Sequence, residues 1–342
     1  MKRVAQLIVA AAGLAVGTSA MGQTYFAVVE SGSDKVVLLN TSDGSVANPL
    51  WIDLVPQGPS TPIEALVVGD EVWVSDQVAD AIFIYTLEQN PQYVATIRGG
   101  MDNIRGMEHV NGKVYVTNAG SANGATANSI VRIDAATRAI DAVYASGDFF
   151  DLISYNGNLL CSNIGLDDIE IRDLTGGLVQ TLVNSDGVTG IDFPQQMVVL
   201  PDGKIAVSAF SPPDGLYIYN ADGSTHQYYD TTAGGLRGVA LLDNGSFIIT
   251  NGSGVHTFDP ATGGEALVLN GQGRFVTKVS IPVPCAADFD GDGFVDFFDF
   301  DAFVACFEGG ACPPGKSADF DGDGFVDFFD FDAFVQAFEE GC

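Results

Sequence analysis

From Tyr25 to about Ile281 one pattern recurs: a short β-type run, a Gly/Asn/Asp turn, a second run, a loop, a third run, a turn and a fourth run. It reads IEALVV, GDE, VWVSD, AIFIYT and YVATIR from Ile63 to Arg98. It reads again IRGMEHV, NGK, VYVTNA, SIVRID and AIDAVYA from Ile104 to Ala145. Further copies begin near Phe149, Pro194 and Leu236, so unit starts lie about 41 to 45 residues apart, the length of one four-stranded sheet in a radial array. Such a unit cannot bury both faces alone and must stack on its neighbours.

The first hairpins of successive units carry Asn111-Gly112, Asn156-Gly157, Asp202-Gly203 and Asn244-Gly245, pairs that supply the positive φ of tight two-residue turns. Five units are complete. A sixth assembles from the two ends, because FVTKVSI (Phe275 to Ile281) reads as a first strand with nothing after it, while YFAVVES and KVVLLN read as later strands with nothing before them. Pairing them leaves the ring no free edge. Residues 23–282 are thus expected to form an all-β six-bladed β-propeller, with seven blades as the alternative.

The segment VYVTNAGSANGATANSIVRIDAATRAI resembles the YVTN-repeat β-propellers, and the wider pattern is similar to the NHL and lactonase-like six-bladed group. The resemblance implies a fold rather than an activity. Aligning the units on their hairpins puts Ile63, Arg105, Phe150, Gln195 and Arg237 in one ring around the channel, and Glu64, Gly106, Asp151, Gln196 and Gly238 in the next. Arg105 and Arg237 fit either an anion or carboxylate site, since a guanidinium fork binds such groups bidentately, or ties between blades through Asp or Glu. Glu64 and Asp151, beside Asn118 and Asn251, are candidate metal ligands for a lactonase- or lyase-type enzyme. The competing reading is a binding or scaffold domain for an unknown ligand. His109, His226 and His256 fall in different parts of their units, no nucleophile motif or phosphate loop is evident, and Cys161 reads as a buried thiol.

Lys2 and Arg3 precede an apolar run from Val4 to Val16 and then small residues, the pattern of a secretory signal peptide over residues 1–22. The expected location is therefore secreted, extracellular or at the cell surface. The chain carries 14 basic against 44 acidic residues, a net charge of −30, which argues against nucleic acid or an anionic membrane as partner. No apolar run is long enough to insert in a membrane.

After Pro284 the composition changes, and ADFDGDGFVDFFDFDAFV occurs twice, at Ala287 and Ala318. Each copy sets carboxylates at loop positions 1, 3, 5, 9 and 12: Asp288, Asp290, Asp292, Asp296 and Asp299, then Asp319, Asp321, Asp323, Asp327 and Asp330. Gly293 and Gly324 occupy position 6, where the chain must turn sharply, and Phe294 and Phe325 would each offer a backbone carbonyl. All-oxygen loops of this kind suit Ca²⁺, one ion per copy and two in all. The following FFDFDAFVACFE and FFDFDAFVQAFE have helical apolar spacing.

A duplicated loop and helix with Asp at position 12 resembles the dockerin module, covering residues 283–342; thrombospondin-like calcium repeats are the runner-up. The resemblance implies a cohesin-like partner read by loop positions 10 and 11, here Phe297, Phe298, Phe328 and Phe329. These phenylalanines either form exposed anchors or pack inside a module that holds 14 Phe between 289 and 338. Near-identity of the copies suggests docking in two orientations. Cys285, Cys306, Cys312 and Cys342 allow three pairings, and in an exported protein disulfides are expected. Cys285 with Cys342 and Cys306 with Cys312 are the favoured pairs, and zinc is disfavoured for want of a paired C-x-x-C.

Overall fold

The computed structural model describes residues 18–19, 22–282 and 285–341. The chain divides into two compact units, one spanning Thr24–Val279 and a second that takes in the chain from Ser280.

Five four-stranded antiparallel sheets follow one another along the chain. The first is Pro62–Val68, Glu71–Asp76, Ala81–Thr86 and Tyr93–Arg98; the second is Ile104–Val110, Lys113–Asn118, Ser129–Asp134 and Ile140–Ala145. The third is Phe149–Tyr155, Asn158–Asn163, Asp168–Arg172 and Leu178–Val183; the fourth is Asp192–Val199, Ile205–Ser211, Gly215–Tyr219 and Thr225–Tyr229. The fifth is Gly238–Leu241, Phe247–Asn251, Gly254–Asp259 and Gly264–Asn270. A closing sheet joins Gly273–Ile281 to Gln23–Glu30, Lys35–Asn40 and Val46–Asp53. The fold is a six-bladed β-propeller.

The second strand Phe247–Asn251 is buried throughout and Glu71–Asp76 is buried from Val72 onward, while outer strands such as Ile140–Ala145 alternate between half-buried and exposed. The pattern follows from sheets packed face to face. Trp73, Ile82 and Ile84 of the first blade pack on Ile104, Met107 and Val116 of the second, and Phe26, Val37 and Leu39 of the closing blade pack on Leu242, Ile248 and Val255 of the fifth.

The hairpin expectation holds where both turn residues take positive φ, at Asn111-Gly112 and Asn156-Gly157. At Asp202-Gly203 and Asn244-Gly245 only the glycine does. There the loop holds three residues, closed by Leu200 N to Lys204 O at 2.8 Å and Leu242 N to Ser246 O at 2.8 Å, and glycine supplies the single left-handed position.

A device repeated in the inner strands positions the channel residues. The ladder slips between Pro62 and Glu64, Phe149 and Leu152, and Pro194 and Met197, and in the second blade between Val116 and Asn118 opposite Arg105 and Gly106. In the second to fourth blades two inner-strand residues thus oppose one hydroxyl residue of the second strand, a bulge that re-aims side chains. Hydroxyls at this position in four of the blades reach the next blade: Ser75 Oγ donates to Arg105 O at 2.6 Å, Thr117 Oγ1 to Phe150 O at 3.3 Å, Ser208 Oγ to Arg237 O at 3.1 Å and Thr250 Oγ1 to Arg274 O at 2.6 Å, whereas Ser162 Oγ accepts from Asp151 N of its own blade at 2.8 Å.

In the second unit, Asp296 and Asp327 cap the helices α1 (Phe297–Phe307) and α2 (Phe328–Glu340), each completing a capping box with Asp299 or Asp330. Thr18–Ser19, inside the expected leader, pairs antiparallel with Phe294–Val295; the rest of that leader, Gly22 apart, lies outside the described residues. Among the described residues no helix is long and apolar enough to cross a membrane.

Candidate functional site

The second ring of channel residues is a set of clamps between blades. Glu64 accepts from Met107 N at 2.6 Å, Asp151 from Leu152 N and Met197 N at 2.8 Å each, and Gln196 Oε1 from Val239 N and Val276 N at 2.9 Å each. Gly106 and Gly238 make the room: a Cβ at Gly106 would lie 2.6 Å from an Asp151 oxygen, and one at Gly238 would lie 3.0 Å from Gln196 Oε1. Glu64 and Asp151 are almost fully buried. Burial, then the charge of Asp151, holds the Glu64 carboxyl well above its usual range; burial pushes Asp151 up to about 7 against its backbone donors, and Glu108 up to about 7 as well. Asn118 and Asn251 anchor loops: Asn118 accepts from Asp102 N and donates to Gly120 O and Thr126 O, and Asn251 accepts from Ser253 N and Gly254 N. The three histidines lie in three different blades, and Cys161 is a buried free thiol.

The two channel arginines part company. Arg105 bonds Asp148 at 2.8 Å and Phe149 O at 3.2 Å and lies 4.9 Å from the centre of the Phe150 ring, so it ties the second blade to the third. Arg237 makes no ion pair among the described residues. Its Nε and Nη1 are buried without partners, and its guanidinium lies 5.7 Å from the Phe210 ring. Arg274, which the sequence reading missed, starts the closing blade's inner strand; burial and the positive charge of Arg237 lower it to about 10, against the attraction of Asp76. Between Arg105 and Arg237 runs an arc of rings, Phe150 to Phe193 at 6.0 Å and Phe193 to Phe210 at 5.6 Å. Phe193 holds φ of 50°, a strained conformation for an aromatic residue. Phe150 also joins Ile63 and Phe275 in a buried apolar cluster.

In the C-terminal unit, ligand atoms of Asp288, Asp290 and Asp292 lie within 4.8 Å of one another, as do those of Asp319, Asp321 and Asp323. Side chains bonding backbone N–H groups two to five residues ahead curl each loop, for example Asp288 to Gly293 at 3.0 Å and Asp319 to Gly324 at 3.1 Å. Gly293 and Gly324 take φ of 90° and 89°, as the turn requires. Asp299 and Asp330 are buried and accept backbone bonds from Asp290 and Asp296, and from Phe320, Asp321 and Asp327. A carboxylate oxygen retains a second lone pair for a metal. Asp319 Oδ1 is buried without a partner among the described residues. The donor set, all hard oxygen, fits a calcium ion in each loop, with Phe294 and Phe325 adding carbonyls.

The rings of this unit follow an internal two-fold relation. Phe303 and Phe334, equivalent positions of the two copies, stack at 4.0 Å. Phe289 meets Phe303 at 5.2 Å and 90° while Phe320 meets Phe334 at 5.4 Å and 89°; the crossed contacts Phe303 with Phe320 and Phe289 with Phe334 are both 5.8 Å. Outside this core stand Phe297, Phe298, Phe328 and Phe329, each 67% to 69% exposed. Cys306 is bonded to Cys312. Cys285 is also in a disulfide; Cys342, its expected partner, lies outside the described residues.

No family model matches the chain, and no curated protein does. Among solved structures, a chain of the crystal structure of a nidogen/laminin complex is 14% identical, with TM-score 0.55 over 75% of this chain and 98% of that one. A protein of unknown function from Bacteroides caccae is also 14% identical, with TM-score 0.53 over 75% and 98%. At this identity the likeness concerns the fold alone.

Proposed function

We propose that the chain is an exported propeller protein that docks through its C-terminal calcium-binding module onto a cohesin-like partner, and that the propeller binds an anionic ligand at its channel mouth. The observation that carries this reading is the pair of acid triads placed beside symmetry-related, solvent-exposed phenylalanine pairs. Exposed aromatic rings on a small rigid scaffold make effective interface anchors. The alternative, a metal-dependent lactonase or lyase, draws on Glu64 and Asp151. Both carboxylates accept backbone bonds across blades, which favours a binding protein.

Calorimetric titration of the full chain with Ca²⁺ is expected to give two ions per molecule, and capture on an immobilised cohesin-like domain should require calcium. Substituting Phe297 and Phe298 by Ser should leave capture largely intact, because the second copy offers the equivalent face. Substituting all four phenylalanines should abolish it. Absence of calcium uptake, or capture that survives in chelator, would overturn the docking reading.

A further inference from the structure

On the flank of the propeller, where the closing blade meets the first, the chain forms a cavity of about 340 Å³ lined by Trp51, Asp53, Gln57, Tyr85, Asn90 and Tyr93 among others. That volume lies at the lower end of the range for small-molecule sites. Its walls are built deliberately. Trp51 Nε1 donates to Glu88 O at 2.9 Å, which pins the loop before Tyr93 to the outer strand of the closing blade. Thr86 N donates to Gln92 O at 2.9 Å and Gln92 N to Thr86 Oγ1 at 2.8 Å, closing that loop on itself. Tyr85 and Tyr93 stand edge to face, 5.9 Å apart and 73° inclined.

Two polar atoms of residues lining this cavity have no partner among the described residues. The Tyr85 hydroxyl is buried, on a side chain 3% exposed, and Gln57 Oε1 is buried as well. Buried polar atoms are nearly always hydrogen-bonded, and two orphans in one lining call for a group that meets both. Burial, then the charge of Asp53, keeps the Tyr85 hydroxyl protonated far above neutral pH. Among the described residues no Lys, Arg or His lines the cavity, so an anion has no counter-charge there. A quaternary ammonium has no N–H to give either orphan. A primary ammonium would need a buried carboxylate, whereas Asp53 is exposed and turned to Val55 N at 3.1 Å. What remains is a neutral, hydroxyl-rich molecule with an apolar face.

We infer that this cavity binds a sugar residue, free or at the end of a glycan, with its C–H face on the ring of Tyr93, which is 48% exposed, and its hydroxyls on Gln57 Oε1 and Tyr85 Oη. The inference is independent of the docking module and of the channel mouth.

Trp51 reports on the site. The chain has two tryptophans, and Trp73 is fully buried in the core. Titration of the full chain with methyl glucoside, galactoside, mannoside and xyloside, and with the matching oligosaccharides, should shift Trp51 emission for at least one sugar; an oligosaccharide that binds where its monosaccharide does not marks a glycan as the source. Tyr93→Ala is expected to weaken that binding about ten-fold and Tyr85→Phe about three- to ten-fold. Tyr85→Phe removes only an unpartnered hydroxyl, so its melting temperature should match or exceed that of the parent, which separates lost binding from lost folding. Trp51→Phe should silence the signal. No response to any sugar, a response to choline alone, or sugar binding unchanged in both tyrosine variants overturns the inference.

Discussion

The two units hold their carboxylates in opposite ways. In the propeller, buried Glu64 and Asp151 each meet backbone N–H groups of the next blade, and the acid is part of the wall. In the C-terminal unit, three carboxylates per loop converge on one point, with no cation but Lys316 anywhere after Lys278. One arrangement satisfies its carboxylates with backbone donors of a neighbouring blade; the other gathers them around a point whose oxygen donor set suits a cation. The cores differ in the same sense. The propeller spreads burial over clusters between blades, whereas the smaller unit relies on one ring cluster centred on Phe303 and Phe334, too small a core to stand without staples.

Calcium removal should therefore separate the two most sharply. Each ion at a thousand-fold excess over its dissociation constant is worth about 4 kcal/mol, so chelation should unfold α1 and α2 and leave the propeller's melting unmoved. Calorimetric scans with and without chelator that superimpose would erase the distinction. Next in size, Phe334→Ala should cost the C-terminal unit about 3 to 5 kcal/mol, and Phe303→Ala should cost the same within about 0.5 kcal/mol, both read by chemical denaturation; unequal losses would break the two-fold relation.

The channel carboxyls give the propeller a pH signature. Asp151 is raised from 3.8 to about 7 in the folded state, so its contribution is fully present below pH 3.8 and is lost as pH rises through 7. The parent's stability advantage over Asp151→Asn should shrink by on the order of 3 to 4 kcal/mol between pH 4 and 7. A constant difference across that range would show that backbone donors keep the carboxylate charged. The smallest effect tests the hydroxyl ties: Ser75→Ala or Thr250→Ala should each cost about 1 kcal/mol of propeller stability in denaturant titration, with no change in the C-terminal unit.

The blade period, the closure by FVTKVSI and the two C-terminal helices were legible because they rest on local signals: turn dipeptides, alternating runs and repeated spacing. How Arg105, Glu64 and Asp151 tie blades together was not, since their cross-blade partners lie 43 to 46 residues away in sequence. A signal was nonetheless present. The small hydroxyl followed by Asp or Asn in VWVSD, VYVTN and IITN marks both the tie to the next blade and the loop anchor, while in LLCSN only the anchor Asn163 keeps its part. Asp76, which accepts from Ser60, Thr61, Val78 and Ala79, could have been found that way. The orphaned Tyr85 hydroxyl could not, because nothing in AIFIYT separates a ring that packs from one that faces a cavity.

The closing blade also sets an order of events. Ser31 N reaches Gln272 O at 2.9 Å, and Gln272 N reaches Glu30 across 242 residues of chain. Contacts of such span form late, after their loop-closure entropy has been met. During synthesis from the N-terminus, the side of Gln23–Glu30 that will receive Gly273–Ile281 stays an open template for any strand that arrives first. The first propeller strand made thus waits for the last propeller strand. Of all the seams in the ring, this one is exposed to intermolecular pairing for the longest time.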